Sequence, residues 1–483
     1  MKKASRYIKS YSALLGLIVK QVFGRNELSC IEQASQARLG FHTGYFVATF
    51  AALCILPQAT FAQSCLALLP PADEKISISL GMAEARLVNC NRDVLAARRS
   101  IEAAEADRVT AGQRPNPNLT VGASNINRAA GIGSGPLQDK TIDSSVRLDQ
   151  LVERGGKATL RERQADAVIN AARADWHDVI RQQRLLLRQN YFELLFQQAR
   201  VDTQREFAGY ARASLEATEK RLKAGDMAPS EANRFRLDDA RAQNDLRQAE
   251  IDVRKARLEL AKSIGAEANA QFFAVSAVKL PSNDGVKIPS SLDDRADLVA
   301  AAHRLEAAES GRALAASIAT RDVTVSAQFD RWPASVTNPQ GTGNSFGLYL
   351  SIPLSVRHAN EGEIKRASTD LQAAKDALIR LKVQAKAEAK LNLESWQAVV
   401  DRTSRIEGEI LPLARNVAKA AEFAYGKGAT SVLDLLDARR TLKQIELDAL
   451  QANTDAGKAW AQWSASVELI SDKAAEQMTS GKP

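Results

Sequence analysis

Hydrophobic and polar residues follow two patterns along this chain, and each pattern occurs twice. Two long stretches, about 157–222 and 359–425, keep a helical period with almost no glycine and no proline except Pro412. Short stretches between the helical ones alternate with period two. In "DVTVSAQF", Val323, Val325, Ala327 and Phe329 fall on one side, and Thr324, Ser326 and Gln328 on the other. In "SFGLYLSIPL", Phe346, Leu348, Leu350, Ile352 and Leu354 alternate with Ser345, Gly347, Tyr349 and Ser351. "NLTVGAS" and "IDSSVRLD" alternate more weakly. Period two predicts half-buried strands, about 118–125, 142–149, 322–330 and 345–354, whereas the longer period predicts helices. Shorter helices are expected ahead of each strand pair, at about 79–112 and 292–319. A glycine turn and a closing helix, about 229–265 and 431–468, follow each long one.

The order of elements is that of a duplication. "SIEAAEADRVTAGQRPNPNLTVGAS" aligns without a gap on "RLEAAESGRALAASIATRDVTVSAQ" at an offset of 204. "RLKAGDMAPSEANRFR" aligns on "AYGKGATSVLDLLDAR" at an offset of 203, placing Gly225 on Gly428, Glu231 on Asp434 and Arg236 on Arg439. Repeats this long are two copies of a large supersecondary unit rather than a short-period solenoid. The predicted organisation is a first repeat over 63–275, a linker over 276–289, a second repeat over 290–470 and a flexible tail over 471–483.

A helix as long as 157–222 spans on the order of 100 Å. No ordinary globular core is that deep, so such helices must pack side by side in an extended bundle. A single alternating stretch reads most simply as a soluble hairpin, but beside such bundles it also fits a membrane-barrel strand, apolar outward and polar inward. Four strands cannot close a barrel, and an open edge in lipid leaves backbone groups unpaired. A barrel of 8 or 12 strands must then be assembled from several chains under cyclic symmetry.

The first 62 residues change the compartment. "GYFVATFAALCIL", with Arg38 and His42 upstream and "PQATFA" after it, has the layout of a secretory signal cut near Ala62. The run is short for a transmembrane anchor. Removing it takes seven of 65 Lys/Arg and two of 57 Asp/Glu, so the formal net charge of +8 falls to +3. Nucleic-acid binding thereby loses its electrostatic support. Cys30 and Cys54 leave with the signal. Two readings stand for Cys65: a disulfide with Cys90 in an oxidising compartment, or lipidation at a mature N-terminus, for which "FAQSC" matches poorly. His42, His177, His303 and His358 are scattered, and no Cys–His spacing resembles a metal site. No nucleophile–base pair or phosphate loop stands in proper context, so neither an enzyme nor a cofactor is expected. A periplasmic coiled-coil adaptor also uses long hairpins, but it would interrupt them with compact β-rich domains.

The hairpin tips hold the candidate chemistry. Gly225 and Gly428 suit left-handed helix ends, and Pro229 suits the first turn of the next helix. Asp434 has two readings: the N3 partner of Ser431 in a capping box, or a member of an acidic face with Asp437, three residues on. Asp437 lies beyond the first turn, so its alternative is a solvated helix face.

With these features the sequence resembles the TolC family of outer-membrane channel proteins. The resemblance rests on the helix–strand–strand–helix duplication, "RPNPNLTVGAS" entering the first strand, "QLVERGGKATLRERQADA" leaving the second, and the tips "RLKAGDMAPSEA" and "YGKGATSVLDLLDARRTL". It covers nearly all of the chain after Ala62. The "RGGK" turn looks most like the heavy-metal branch, the outer-membrane component of Czc-type cation efflux systems. The resemblance implies a mainly α chain with a small transmembrane β part. A homotrimer would form a 12-stranded barrel in outer-membrane lipid and a 12-helix periplasmic tunnel. It implies a passive duct, docked to a periplasmic adaptor (membrane fusion protein) and an inner-membrane resistance-nodulation-division pump, with divalent heavy metals as cargo. Drug efflux and type I secretion are the alternative duties. The adaptor-contacting tips would be Lys223, Gly225, Asp226, Lys427, Gly428 and Thr430. The constriction would hold Tyr425, Asp434 and Asp437, the acids forming two stacked rings that favour cations. Tyr425 matches a family tyrosine that helps hold the closed tip, or is ordinary interhelical packing. Thr430 stands where relatives can carry arginine, so a closed-state salt bridge from there is not available.

Overall fold

A computed structural model of the chain describes residues 76–126, 141–266, 273–276, 278, 280, 281, 285–334 and 339–470. The expected signal segment, Cys65 and the tail over 471–483 lie outside these residues. Cys90 is disulfide-bonded; no other cysteine lies among the described residues, so its partner is outside them.

The first repeat opens with β1 (Ile76–Ile78), α1 (Leu80–Cys90) and α2 (Arg92–Gly112). The single helix expected over 79–112 is thus two. Asn91 breaks it, because its side-chain oxygen accepts from the amides of Asp93 and Val94 and starts a new helix. Then come β2 (Asn118–Ser124), β3 (Asp143–Val152), α3 (Lys157–Lys223) and α4 (Pro229–Ser263). After β4 (Phe273–Val275), the second repeat follows with α5 (Ala296–Ser317), β5 (Val323–Trp332), β6 (Gly343–Ser351), α6 (Glu361–Arg405), α7 (Leu411–Gly426) and α8 (Val432–Ser466). Strand β6 ends at Ser351, short of the expected 354, since Pro353 has no N–H to give a ladder.

α3 runs unbroken for 67 residues, about 100 Å. Its counterpart is split by a π turn over Ile406–Ile410, in which the Leu411 amide bonds the Ile406 carbonyl. The cause is Pro412, which cannot bond the carbonyl four residues back and whose ring crowds it. α3 packs against α2, α4, α5 and α8. Small side chains allow close approach: Ala452 and Ala461 of α8 are fully buried, and a Cβ on Gly457 would lie 2.5 Å from Phe192 Cδ1. Trp396 stacks on Trp463 with ring centroids 5.0 Å apart.

Two sheets accompany the helices. β1 and β4 form a parallel pair that the sequence pattern did not suggest. The Tyr191 hydroxyl lies 3.0 Å from the Ile78 carbonyl and 2.9 Å from that of Ser276, tying α3 to the ends of both strands. The other sheet has order β2-β3-β5-β6, antiparallel throughout. The registers put Val121, Val146, Phe329 and Phe346 in one row, and Leu119, Leu148, Ala327 and Leu348 in another on the same face. That face is open: Val121, Phe346 and Leu348 are 72%, 70% and 73% exposed. The opposite face carries Arg147, Asp149, Ser326 and Tyr349. Arg147 Nε donates to Asp149 at 2.7 Å, its Nη2 to Ser326 Oγ at 3.1 Å, and its guanidinium lies 5.4 Å from the centre of the Tyr349 ring. This sheet has its polar groups tucked in and its apolar side chains outward, the reverse of a sheet in water.

The sheet joins the bundle at "RGGK". Gly155 and Gly156 take φ of 74° and 68°. A Cβ on Gly155 would meet the Ser317 carbonyl at 3.2 Å, so the residue is glycine for space and conformation. Asp322 clasps the turn, accepting from Lys157 Nζ at 2.8 Å and the Arg154 amide at 2.9 Å. At the matching place in the second repeat, 204 residues on, Asn360 has φ 64° and begins α6.

Candidate functional site at the helical tips

Both hairpins turn by the same hydrogen bonds. In the first, the Asp226 amide bonds the Arg221 carbonyl at 3.0 Å and the Gly225 amide that of Leu222 at 3.2 Å. In the second, the Ala429 amide bonds the Ala424 carbonyl and the Gly428 amide that of Tyr425, each at 2.9 Å. This six-to-one, five-to-two pattern needs a left-handed residue after the helix, and Gly225 and Gly428 take φ of 82° and 74°. Lys223, Gly225, Asp226, Lys427 and Gly428 are exposed on these turns, and Thr430 is half-buried. Lys427 Nζ sits 5.7 Å from the Phe423 ring centre.

The helices that leave the turns begin differently. α4 starts with Pro229 and no side-chain cap. α8 starts with a capping box between Ser431 and Asp434. Asp434 Oδ2 accepts from Thr430 Oγ1 at 2.8 Å, Ser431 Oγ at 2.7 Å and the Ser431 amide at 3.1 Å. These bonds, that from the Ser431 hydroxyl foremost, hold the Asp434 carboxyl below its ordinary value. Thr430 thus serves the cap. Asp437 lies one turn further, exposed, with no hydrogen-bond or ion-pair partner among the described residues. The two acids therefore part in local role: Asp434 is engaged in the helix start, and Asp437 is free to face whatever lies beyond it.

Tyr425 packs with Leu215 against buried Phe235, Val432 and Leu436. This cluster joins the tip of one repeat to the tip of the other. Further along, Arg440 pairs with Asp238 at 3.3 Å, Lys443 with Asp245 at 2.7 Å, and Arg439 Nη1 donates to Ser214 Oγ at 2.8 Å. Sequence reading missed Leu215, Phe235 and these cross-repeat pairs. Each is an ordinary helix residue by pattern. The one available hint was the alignment of Arg236 on Arg439.

Among the described residues, no group of His, Cys, Asp and Glu could hold a metal ion. Among the described residues no helix is long and apolar enough to cross a membrane, which says nothing about the sheet.

The fold is a duplicated pair of helical hairpins carried on a four-stranded sheet with an open apolar face. The chain belongs to the outer membrane efflux protein family, whose pattern matches residues 85–266 and again 288–466. It is an outer-membrane efflux channel protein of the TolC kind. It is 24% identical over 382 residues to the cobalt-zinc-cadmium resistance protein CzcC of Cupriavidus metallidurans, covering 78% of this chain and 87% of that protein. The CmeC outer membrane channel of Campylobacter jejuni superposes with a TM-score of 0.69 at 13% identity, over 83% of this chain and 88% of CmeC. CusC, described with its transmembrane channel formation, superposes with a TM-score of 0.65 at 18% identity, over 83% of this chain and 96% of CusC. The resemblance to the TolC family, and within it to the heavy-metal branch, holds against these comparisons.

Proposed function

We propose that this chain is the exit duct of a tripartite efflux system, passively carrying divalent heavy-metal cations from the periplasm to the outside. The observation that carries the reading is the four-stranded sheet, with its exposed apolar face and two edges, β2 and β6, unpaired among the described residues. Unpaired edges cannot stand in lipid. Strand direction alternates across the four strands, so β6 of one copy and β2 of the next run antiparallel and close the sheet. Three copies give a barrel of twelve strands in the outer membrane, over a periplasmic tunnel of twelve helices.

In this assembly the turns at Lys223, Gly225, Asp226, Lys427, Gly428 and Thr430 meet a periplasmic adaptor, and an inner-membrane resistance-nodulation-division pump supplies the energy. Symmetry turns Asp437 and Asp434 into rings of three carboxylates beside Tyr425, a constriction that concentrates cations. The similarity to CzcC, named for cobalt, zinc and cadmium resistance, supports the metal cargo.

The test is conductance in planar bilayers of the purified native protein beside Asp434→Asn with Asp437→Asn. A small cation-selective conductance that loses selectivity in the double variant supports both duct and filter. Unchanged selectivity returns the aspartates to capping and surface roles. Absence of conductance from a folded trimer overturns the duct.

A further inference from the structure

Cys90 ends α1, is 5% exposed and is disulfide-bonded. The joint around it is tied to the end of α4. Arg86 Nε donates to the Ile264 carbonyl at 3.2 Å, and the Asn91 side chain to that of Ser263 at 3.0 Å. Gly265, at φ 62°, runs so close that a Cβ there would lie 2.4 Å from the Cys90 carbonyl oxygen and 3.2 Å from the Cys90 Cβ. The Cys90 side chain is thus enclosed by its own fold, out of reach of a second protein, and its partner belongs to the same chain.

The chain holds three other cysteines, Cys30, Cys54 and Cys65. Cys30 and Cys54 precede the expected signal cut near Ala62 and leave with it. Cys65 alone stays. Its reach suffices. The chain from Cys65 to Ile76 covers at most about 36 Å when extended. From Ile76, β1 and α1 carry the chain at most about 30 Å to Cys90. A disulfide needs its two Cα atoms within about 7 Å of each other, and a loop back along α1 can meet that.

We propose that Cys65 and Cys90 are joined by a disulfide that staples the start of the exported chain to the joint between α1 and α2, and that Cys65 therefore carries no lipid. Lipoprotein processing loads the same sulfur with a diacylglyceryl group through a thioether, so the two fates exclude each other. Of the two readings open to Cys65, the bonded state of Cys90 selects the first. In forming the bond, the two thiols give up two protons and two electrons by thiol–disulfide exchange. These pass to the disulfide of a periplasmic dithiol oxidase, whose two sulfurs leave as thiols. The second repeat has Asp294 at the place of Cys90, 204 residues on. There the Ile470 amide, beyond the end of α8, bonds the Asp294 carbonyl at 3.0 Å. Each joint thus holds a segment from outside its helices, by a covalent bond in the first repeat and a hydrogen bond in the second. In the duct reading, the sheet then holds the chain in the outer membrane without help from an acyl chain. The pairing itself needs export to an oxidising compartment, and neither the barrel nor the metal cargo.

The experiment is a peptide map by mass spectrometry of the native protein extracted from the outer membrane. Free thiols are alkylated first, and trypsin is added without reductant. Cleavage frees residues 63–75 and 87–92. One species that joins these two peptides and parts on reduction is expected, with no acyl mass on 63–75. Cys65→Ser should leave Cys90 open to alkylation after unfolding. It should also speed amide exchange in α1 about tenfold or more, because the loop from 65 to 90 is no longer closed. A diacylglyceryl group on Cys65, free thiols at both positions, or Cys90 bonded to Cys54 or to another chain would each overturn the pairing. Exchange in α1 unchanged by Cys65→Ser would overturn the staple. If Cys65→Ser fails to fold, the map of the native protein still decides.

Discussion

The Asn91 side chain donates to the main-chain carbonyl of Ser263 at 3.0 Å, across 172 residues of sequence. It stitches the start of α2 to the end of α4. The second repeat makes the same stitch with another residue type: Arg295, the N-cap of α5 and 204 positions on, donates to the Ser466 carbonyl at 3.2 Å at the end of α8. Arg295 is 2% exposed and also holds Asp297 through two bonds of 2.7 and 2.8 Å and Glu388 through one of 3.1 Å. Helix ends buried in a bundle leave carbonyls that need such partners. Removing Arg295 strands the half-buried carboxylate of Asp297 and the buried carbonyl of Ser466. Arg295→Ala is therefore expected to cost about 2–4 kcal/mol. Asn91→Ala, which loses a cap and a neutral bond, costs about 1–2 kcal/mol. Thermal melts of the two variants check the ranking, and equal losses would contradict it.

The cap at Asp434 makes the start of α8 sensitive to pH. The folded Asp434 carboxyl lies below its ordinary 3.8, first because of the Ser431 hydroxyl. A depressed acid stabilises the fold at pH above its unfolded value and loses that effect as pH falls through the folded one. Amide exchange over the first turn of α8, corrected for its intrinsic pH dependence, should stay slow above pH 3.8 and accelerate below it. Asp434→Ala should remove this dependence. Asp437→Asn, which breaks no bond, should leave the exchange profile alone and lower cation selectivity instead.

Reading the sequence reached some of these features and not others, for physical reasons. The long helices were legible because proline and glycine are so sparse in them. The alternation of Val323, Val325 and Phe329 was legible because strand side chains change face at every residue. The role of Asp434 was half legible, since Ser431 at the right spacing announces a capping box but says nothing of Thr430. The π turn at Ile406–Ile410 was half legible: Pro412 marks the place, but the apolar period continues across it and does not show what form the break takes. The joint at Asn91 lay inside an unbroken helical pattern. β1 and β4 are three residues each, too short to show a period. Phe235, Arg440 and Lys443 gain their roles only from the helix they meet, and packing between distant segments leaves no local mark.

The cluster of Phe235 with Tyr425 should control how firmly the tips hold together. Phe235 is 3% exposed, so Phe235→Ala costs about 3–5 kcal/mol, concentrated where the two hairpins meet. Trypsin, which can reach Lys223 and Lys427, should then cut at the tips at least about tenfold faster, as expected for cleavage that tracks local opening. Phe235→Leu, which keeps most of the volume, should cut nearly as slowly as the native protein. Tyr425→Phe should resemble the native chain, because it is the ring that packs in the cluster. Rapid cutting of Tyr425→Phe would instead assign the hold to its hydroxyl.

The two faces of the sheet make opposite predictions for the same substitution. Leu348 and Thr120 both lie within their strands, Leu348 on the apolar face and Thr120 on the face shared with Arg147 and Gln328. If the apolar face meets lipid, Leu348→Arg costs about 2–4 kcal/mol near the bilayer midplane and reduces the folded protein recovered from the outer membrane. Thr120→Arg enters a water-filled lumen in that case. It should preserve assembly, add a positive charge beside the path and lower cation selectivity. A soluble sheet predicts the reverse order, because an arginine on an exposed face costs little in water, whereas one beside Arg147 meets like charge. Yields of folded protein of the two variants, measured side by side from the same membranes, separate the two. A Leu348→Arg protein recovered at native levels would remove the lipid from the argument and with it the barrel.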